Sequence, residues 1–163
     1  MIKGRIFKSG AWWAAEAPDA GVFTQGKTRA DAKLMLADAF ESLIDRTGFK
    51  VTVSDFGKGE DVLVEANEAA PLAAYVLKHQ REIHGLSLAQ VAEALGTSSR
   101  NAYARYEQGS SVPTLDKFQE LLRAIAPEMT VIFAPRMPAR RRGPKASAKA
   151  GAEGERHRSV KRS

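Results

Sequence analysis

The segment from Ser87 to Gly96 constrains the fold of this chain more than any other. Ser87 and Gln90 have the spacing of a capping box, in which two side chains close the first turn of a helix. Apolar residues then recur on one face of that helix, and Gly96 can adopt the left-handed conformation that ends it. The segment therefore predicts a short helix followed by a sharp turn.

A second helix is predicted directly after this turn. Ser98 or Ser99 can cap it, because a serine hydroxyl accepts a hydrogen bond from the unpaired N–H groups of a first helical turn. Helical spacing directs three of its residues inward, namely Ala102, Tyr103 and Tyr106. The outward row consists of Arg100, Asn101, Ala104 and Arg105. Two short helices joined by a tight turn predict a helix-turn-helix.

The outward row of the second helix has side chains that can read duplex DNA. Arginine bonds O6 and N7 of guanine in a fork, asparagine bonds N6 and N7 of adenine, and serines at helix N-termini hold phosphates. The predicted DNA-binding residues are Ser87, Ser98, Ser99, Arg100, Asn101 and Arg105. A solvated, charged helix surface is the alternative interpretation of this row.

The same segment resembles the Xre/λ-repressor-like class of DNA-binding domains over about residues 70–126. The similarity is carried by GLSLAQVAEALG, then by SSRNAYARYEQG, and then by SVPTLDKFQELLRAI. Tyr106-Glu107-Gln108-Gly109 and Pro113 fall where that class has its aromatic-Glu-x-Gly and its following proline. The resemblance implies binding to specific double-stranded operator DNA.

The first 66 residues predict a different architecture. Apolar and polar residues alternate over residues 2–6 and 49–54, and residues 62–65 resemble a returning strand after a glycine-rich hairpin turn. Between them, Thr28 and Asp31 have the form of another capping box, and helical spacing continues to about Arg46, before Gly48. The predicted fold class is α+β, with an N-terminal antiparallel sheet covered by one helix and an all-α helix-turn-helix domain behind it.

The N-terminal segment also resembles the HicB family of antitoxins over about residues 3–46. The resemblance rests on WWAAEAPD, on Gly21, on the TQGKT turn, and on a helix that contains Ala32 and an Asp38-Ala39 pair. It implies a partial RNase H-like fold that binds and blocks a HicA-like toxin, a small protein that cleaves mRNA. It further implies that the second domain represses the operon that encodes both proteins.

Three residues of this segment are predicted to contact the toxin: Trp12, Glu16 and Asp19. Adjacent residues of a strand point to opposite faces, so one of Trp12 and Trp13 is expected in the core and the other at an interface. Carboxylates suit a toxin that is basic where it binds RNA. Asp55, Glu60 and Asp61 extend this acidic set, and ordinary solvated turns or strand edges are the alternative for each.

Charge distinguishes the end of the chain from the rest. The net charge is +6, yet ten of the 25 Lys and Arg residues follow Pro135, against two acids. Residues 136–163 are therefore predicted to be a disordered basic tail. The predicted division is a toxin-binding domain at 1–66, a linker at 67–69, and a DNA-binding domain at 70–135 with a C-terminal strand at 129–133.

Several functional classes are disfavoured by the composition. The chain has no cysteine, which excludes disulfides and cysteine-based metal sites. His79, His84 and His157 lack metal-ligand spacing, and most acids fall at turns or on a helix exterior. Neither a metal, a cofactor nor an enzyme activity is therefore predicted. No run of roughly 18 apolar residues is present, so a cytoplasmic protein without a membrane partner is expected.

Three functions compete at this point. The leading hypothesis is an antitoxin that neutralises a HicA-like toxin and represses its own operon. The alternative is a free-standing transcriptional regulator whose N-terminal domain oligomerises or senses a ligand, and an RNase H-like enzyme is a weaker third. Two recognition helices about 34 Å apart match an inverted repeat, which favours a homodimer or a higher even oligomer.

Overall fold

The computed structural model describes residues 1–97 and 99–131, and its fold class is α+β, as predicted. Its strands are β1 Ile2–Ser9, β2 Trp12–Ala17, β3 Val22–Gly26, β4 Val51–Asp55 and β5 Asp61–Ala66. A short 3-10 helix, Pro18–Ala20, joins β2 to β3 and is named here the 18–20 turn. The α-helices are α1 Arg29–Ile44, α2 Ala69–Ile83, α3 Leu88–Ala94, α4 Arg100–Glu107 and α5 Leu115–Ile125.

The five strands form one antiparallel sheet in the order β3-β2-β1-β5-β4. Strand β1 lies at its centre, where Ile6 is paired with Ala15 of β2 and Lys3 with Leu63 of β5. Because β1 and β5 are far apart in the sequence, their pairing is the long-range contact that joins β1, β2 and β3 to the β4–β5 pair. The predicted antiparallel sheet is confirmed, and the RNase H-like character of the unit stays a prediction.

Alternation along the strands directs one face of the sheet toward α1. Ile6 and Val62 are fully buried on that face, and Phe40 of α1 is fully buried against the same core. Burying a side chain of this size contributes about 1.5–3 kcal/mol relative to leaving it in water, so these contacts dominate the stability of the unit. The alternate positions, such as the paired Arg5 and Glu16, lie on the opposite face.

Helix α1 follows the prediction more closely at its start than at its end. The Thr28 hydroxyl accepts a hydrogen bond from the backbone N–H of Asp31 at 3.1 Å. The second bond differs from that of a capping box, because the short Asp31 carboxylate accepts from the backbone N–H of Lys27 at 2.7 Å. The helix stops at Ile44, before its predicted end, since Asp45 adopts the left-handed conformation with φ of 42°.

Helix α2 belongs to both halves of the molecule. Its first half contributes Leu72 to the core between the sheet and α1, where Tyr75 meets Phe40 edge-on with ring centroids 6.3 Å apart. Its second half contributes Leu77 to the core of the helical half. One continuous helix therefore joins the two cores.

The 18–20 turn docks on this shared helix. The Tyr75 hydroxyl donates a hydrogen bond to the carbonyl of Ala20 at 3.0 Å. Gly21, which follows the turn, has φ of 64° and lies so close to the His79 ring that a Cβ there would overlap it. We name these contacts the turn–α2 joint. They attach the sheet half to the first helix of the helical half.

Helices α3, α4 and α5 enclose a second core with the end of α2. Its largest fully buried side chains are Leu77, Val91, Tyr103, Leu121 and Ile125. Tyr103 and Tyr106 pack into this core as predicted, whereas Ala102, also expected inward, is exposed. The first turn of α4, residues 100–102, is exposed throughout, so helical periodicity overestimated the depth of its packing.

The end of the described chain packs against this second core through Met129 and Val131. Residues 129–131 are not in a strand in the single chain, and the rest of the predicted strand at 129–133 lies outside the described residues. This strand, which would pair with its copy across the two-fold axis of a dimer, stays a prediction. The predicted tail at 136–163 also lies outside the described residues. Among the residues that are described, no helix has the length and apolar character to cross a membrane.

Candidate nucleic-acid interface

Helix α3 begins with the predicted capping box. The Ser87 hydroxyl accepts from the backbone N–H of Gln90 at 3.2 Å, and the Gln90 side-chain oxygen accepts from the N–H of Ser87 at 2.8 Å. Beyond the helix, Gly96 has φ of 67°, and the N–H of Thr97 donates to the carbonyl of Ala92 at 2.9 Å. The prediction of a short, capped helix with a left-handed turn behind it is confirmed.

Helix α4 is capped by Ser99. Its hydroxyl accepts from the backbone N–H of Ala102 at 3.3 Å, and its own N–H donates to the Thr97 hydroxyl at 3.3 Å. Ser98, the other predicted cap and phosphate contact, lies outside the described residues. A serine hydroxyl both donates and accepts, so those of Ser87 and Ser99 can still donate to a phosphate oxygen while they cap their helices.

The predicted DNA-binding residues of α4 all lie on its exposed side. Arg100, Asn101 and Arg105 are exposed, which leaves their donors accessible to a ligand. Asn101 and Arg105 are neighbours one helical turn apart, and Arg100 is the first residue of the helix. We name these three residues the α4 row. The structure brings them together on one short helix beside Ser99.

A buried ion pair beneath the α4 row fixes α4 to α2. Arg81 bonds both carboxylate oxygens of Glu107, through Nε at 2.6 Å and Nη2 at 3.0 Å, and its Nη1 donates to the carbonyl of Leu86 at 2.8 Å. Only 14% of the Arg81 side chain and 7% of the Glu107 side chain are exposed. The bond to Glu107 raises the pKa of Arg81. A bidentate pair of this kind fixes orientation as well as distance.

Tyr103 completes the buried group around Glu107. Burial raises the pKa of its phenol, and the neighbouring Glu107 carboxylate acts in the same direction. The Tyr103 hydroxyl has no hydrogen-bond partner of standard geometry within the described part of the chain. This group was not predicted from the sequence. The signal in the sequence was Arg81. It lies one helical turn after Leu77, on the side of α2 that faces the core, and a charge buried there needs an opposite charge on a facing helix.

The three residues predicted to contact a toxin do not form one cluster. Trp12 is 42% exposed and lies with Glu16 on the sheet face opposite α1, where Glu16 pairs with Arg5 at 3.3 Å. Asp19 lies in the 18–20 turn, and its backbone carbonyl accepts a hydrogen bond from the Gln80 side chain. The open sheet face and the 18–20 turn are therefore two separate candidate surfaces.

The neighbouring predictions have mixed outcomes. Trp13 packs against the core while Trp12 is exposed, as alternation predicted. The other three candidate carboxylates form ion pairs, namely Asp55 with Arg29 and Lys33, Glu60 with Arg5, and Asp61 with Lys3. Burial acts to raise the pKa of Asp55, but its two cations together lower it. Each of these three carboxylates is therefore already paired, as the alternative of ordinary solvated turns and strand edges expects.

A groove of about 340 Å³ opens between the 18–20 turn, the end of α2 and residues 128–130. Its lining includes two acidic residues, Asp19 and Glu128, and two apolar residues, Ile83 and Met129. His84 contacts Glu128 at 3.1 Å. A groove of this size with a mixed apolar and acidic lining can admit a small cationic molecule. Within residues 1–97 and 99–131, no group of three or more His, Asp or Glu side chains is arranged to hold a metal ion.

Comparison with known proteins concerns the helical half. No curated protein matches the chain. The HicB resemblance of the N-terminal segment is not supported by a family match and stays a prediction. A helix-turn-helix family model matches residues 77–126, from the second half of α2 to just past α5. This part of the chain is thus similar to the DNA-binding domains of Xre/λ-repressor-like regulators.

Proposed function

We propose that this protein is an antitoxin that neutralises a HicA-like, mRNA-cleaving toxin and represses its own operon. The helix-turn-helix match indicates a sequence-specific DNA-binding regulator. The observation that carries the DNA-binding proposal is the α4 row, exposed on a helix that the buried Arg81–Glu107 pair holds in place. The toxin-binding proposal rests on the HicB resemblance and on the sheet half, whose core differs from that of the helical half.

In the proposed DNA complex, α4 enters the major groove with its N-terminal end toward the base edges. Arg100 bonds O6 and N7 of a guanine, and Asn101 bonds N6 and N7 of an adenine. Arg105, one turn further along, contacts a phosphate. Ser87 and Ser99 bond phosphates at the starts of α3 and α4, which fixes the register of the protein on the duplex without reading sequence.

The proposed regulator acts as a homodimer or a higher even oligomer. Two α4 helices about 34 Å apart read half-sites that are one turn of DNA apart, and a two-fold axis matches an inverted repeat. Light scattering on the protein with and without operator DNA measures the stoichiometry. An odd number of chains per inverted repeat would contradict this arrangement.

The sheet half is the proposed toxin-binding unit. Residues 1–66 contain nine Lys and Arg against ten Asp and Glu, whereas a protein that cleaves RNA is basic where it meets phosphate. Covering that basic surface prevents mRNA from binding. Neutralisation of this kind needs no chemistry from the antitoxin, so no catalytic residue is assigned.

Co-expression tests both parts of the proposal with the full chain. We expect the chain to restore growth to cells that express the toxin from the adjacent reading frame, and to co-purify with that toxin. We also expect it to retard DNA from the upstream region of its own gene in a gel. A chain that binds this DNA but neither rescues growth nor co-purifies with the toxin would be a regulator without the antitoxin role.

A ligand-sensing regulator is the second candidate, and the groove beside the 18–20 turn is the observation that favours it. A cation that fills this groove would contact the Asp19 and Glu128 carboxylates and would stabilise the joined halves. A screen of cationic metabolites by thermal shift tests this function. Stabilisation that depends on Asp19, together with altered DNA affinity, would support it over the antitoxin.

A further inference from the structure

The sheet face opposite α1 carries three aromatic residues around a small one. Strand pairing sets Ala14 of β2 directly opposite Phe7 of β1, and alternation puts Trp12 on the same face, two residues from Ala14. On the other side of β2, Phe23 of β3 is paired with Glu16 and shares this face. We name Phe7, Trp12, Ala14 and Phe23 the aromatic face.

The aromatic face is accessible from solvent. Phe23 is 66% exposed and Trp12 is 42% exposed, while α1 and the first half of α2 pack on the opposite side of the sheet. Phe7 is partly buried, with the Arg5 guanidinium 5.2 Å from its ring centre. Rigid aromatic side chains bury a large area for little entropy, and they are concentrated at the energetic centres of protein interfaces.

The charges that border the aromatic face indicate the chemistry of its partner. Arg5 contacts Glu16 at 3.3 Å and Glu60 at 2.9 Å, and Lys3 contacts Asp61 at 3.3 Å. Both of these cations are therefore engaged, and the carboxylates of this border outnumber them. A nucleic acid requires available cations for its phosphates. A basic protein with an apolar patch instead finds apolar contact and a surplus of negative charge.

We propose that the aromatic face is the surface on which the toxin docks, with its two exposed rings as anchors. This assignment rests on the proposed antitoxin function. An aliphatic side chain of the toxin packs on the small Ala14, and a neighbouring lysine or arginine reaches Glu16. Arg5 can release Glu16 without losing all of its partners, because it also holds Glu60.

The test compares exposed apolar residues on two surfaces of the full chain. Phe23→Ser and Trp12→Ser alter the aromatic face, and Leu34→Ser and Leu43→Ser alter α1, where these leucines are 63% and 53% exposed. The probe is the inactivated toxin from the adjacent reading frame, with affinity measured by calorimetry. Phe23→Ser should weaken binding about 30-fold, as expected for an anchor residue. The two leucine variants should change it by less than about twofold.

Each outcome decides the assignment. If the unaltered chain does not bind the toxin, the antitoxin function fails and the docking surface fails with it. If the unaltered chain binds the toxin and both aromatic-face variants bind it with the same affinity, the antitoxin function stands and the proposed docking surface is wrong. The same holds if only the α1 variants lose binding. A dimer that Phe23→Ser converts to a monomer with unchanged toxin affinity would make a second copy the occupant. If Phe23→Ser has a lower melting temperature than the unaltered chain, its weaker binding could reflect unfolding. Trp12→Ser then provides the independent test of the surface.

Discussion

The helical half and the sheet half differ in the kind of contact that brings their candidate functional residues together. Ser87 and the α4 row fall within one short stretch, and their positions depend on caps and a turn between near neighbours. The aromatic face is assembled from three strands, β1, β2 and β3, and its residues meet through the register in which these strands pair. Function that depends on local hydrogen bonds can be read from sequence, whereas function that depends on strand register requires the structure.

The largest expected effect is that of Glu107→Ala, which tests whether the two halves are independent. The change leaves the Arg81 charge buried without its partner, at a cost of about 3–5 kcal/mol. We expect the helical half to lose stability and DNA binding while the sheet half still binds toxin. Both tryptophans, Trp12 and Trp13, lie in the sheet half, so their fluorescence reports its unfolding alone. Helical circular dichroism reports both halves, because α1 packs on the sheet, and an earlier transition seen only by dichroism identifies unfolding of the helical half.

The matched control for this variant replaces both charges. The double variant Arg81→Met with Glu107→Leu should recover most of the lost stability, because neither charge is then left buried alone. If the fluorescence and dichroism transitions fall together in Glu107→Ala, the two halves unfold as one unit. That result would show that the sheet half does not stay folded when the helical half unfolds.

Loss of the proposed base contacts of Arg100 and Asn101 should give the next largest effect. Arg100→Ala and Asn101→Ala should each weaken operator binding by about 1–3 kcal/mol and relax preference at particular base pairs. The control is Arg123→Ala, which removes an exposed cation from α5. Gel-shift titrations on operator and on scrambled DNA are the measurement, with thermal melts to verify folding. Equal losses on both DNAs would identify phosphate anchors, and no loss on either would move the readout elsewhere.

Gly21→Ala tests how firmly the turn–α2 joint couples the halves. Alanine in the left-handed conformation costs about 1–2 kcal/mol, and its Cβ would also displace the His79 ring. Gly10→Ala is the matched control, since Gly10 has φ of 57° but open space around it. We expect Gly21→Ala to lower the melting temperature further than Gly10→Ala. Equal shifts would show that the joint adds nothing beyond backbone strain.

The smallest effect concerns pH and the sheet half. The Glu41 carboxylate accepts from Lys50 at 2.6 Å and from the N–H of Val51 at 2.8 Å, and these bonds lower its pKa below the ordinary 4.5. Its stabilisation is therefore present above the unfolded pKa and lost as pH falls through the folded one. The melting temperature measured by fluorescence should fall less on acidification in Glu41→Gln than in the unaltered chain. Parallel pH profiles would assign this dependence to other groups.

What the sequence reveals follows the same division. The Ser87–Gln90 box and the Gly96 turn were predictable, because each is specified by residues within one or two helical turns. The end of α1 was not, because Asp45 adopts a conformation that usually belongs to glycine. The α4 row was predicted but the pair beneath it was missed. Arg81 and Glu107 are 26 residues apart, and no local pattern specifies which inward charge meets which.

Helix α2 determines where this protein can be cut or recombined. A fragment that ends at Ala66 loses Leu72 and Tyr75, which uncovers Phe40 in the sheet-side core. A fragment that begins at Leu77 keeps the family-matched region but starts in the middle of a helix. A graft at the loop before α2 therefore damages one core whichever partner supplies the helix. A chimera with a new binding specificity must bring the first half of α2 along with its sheet.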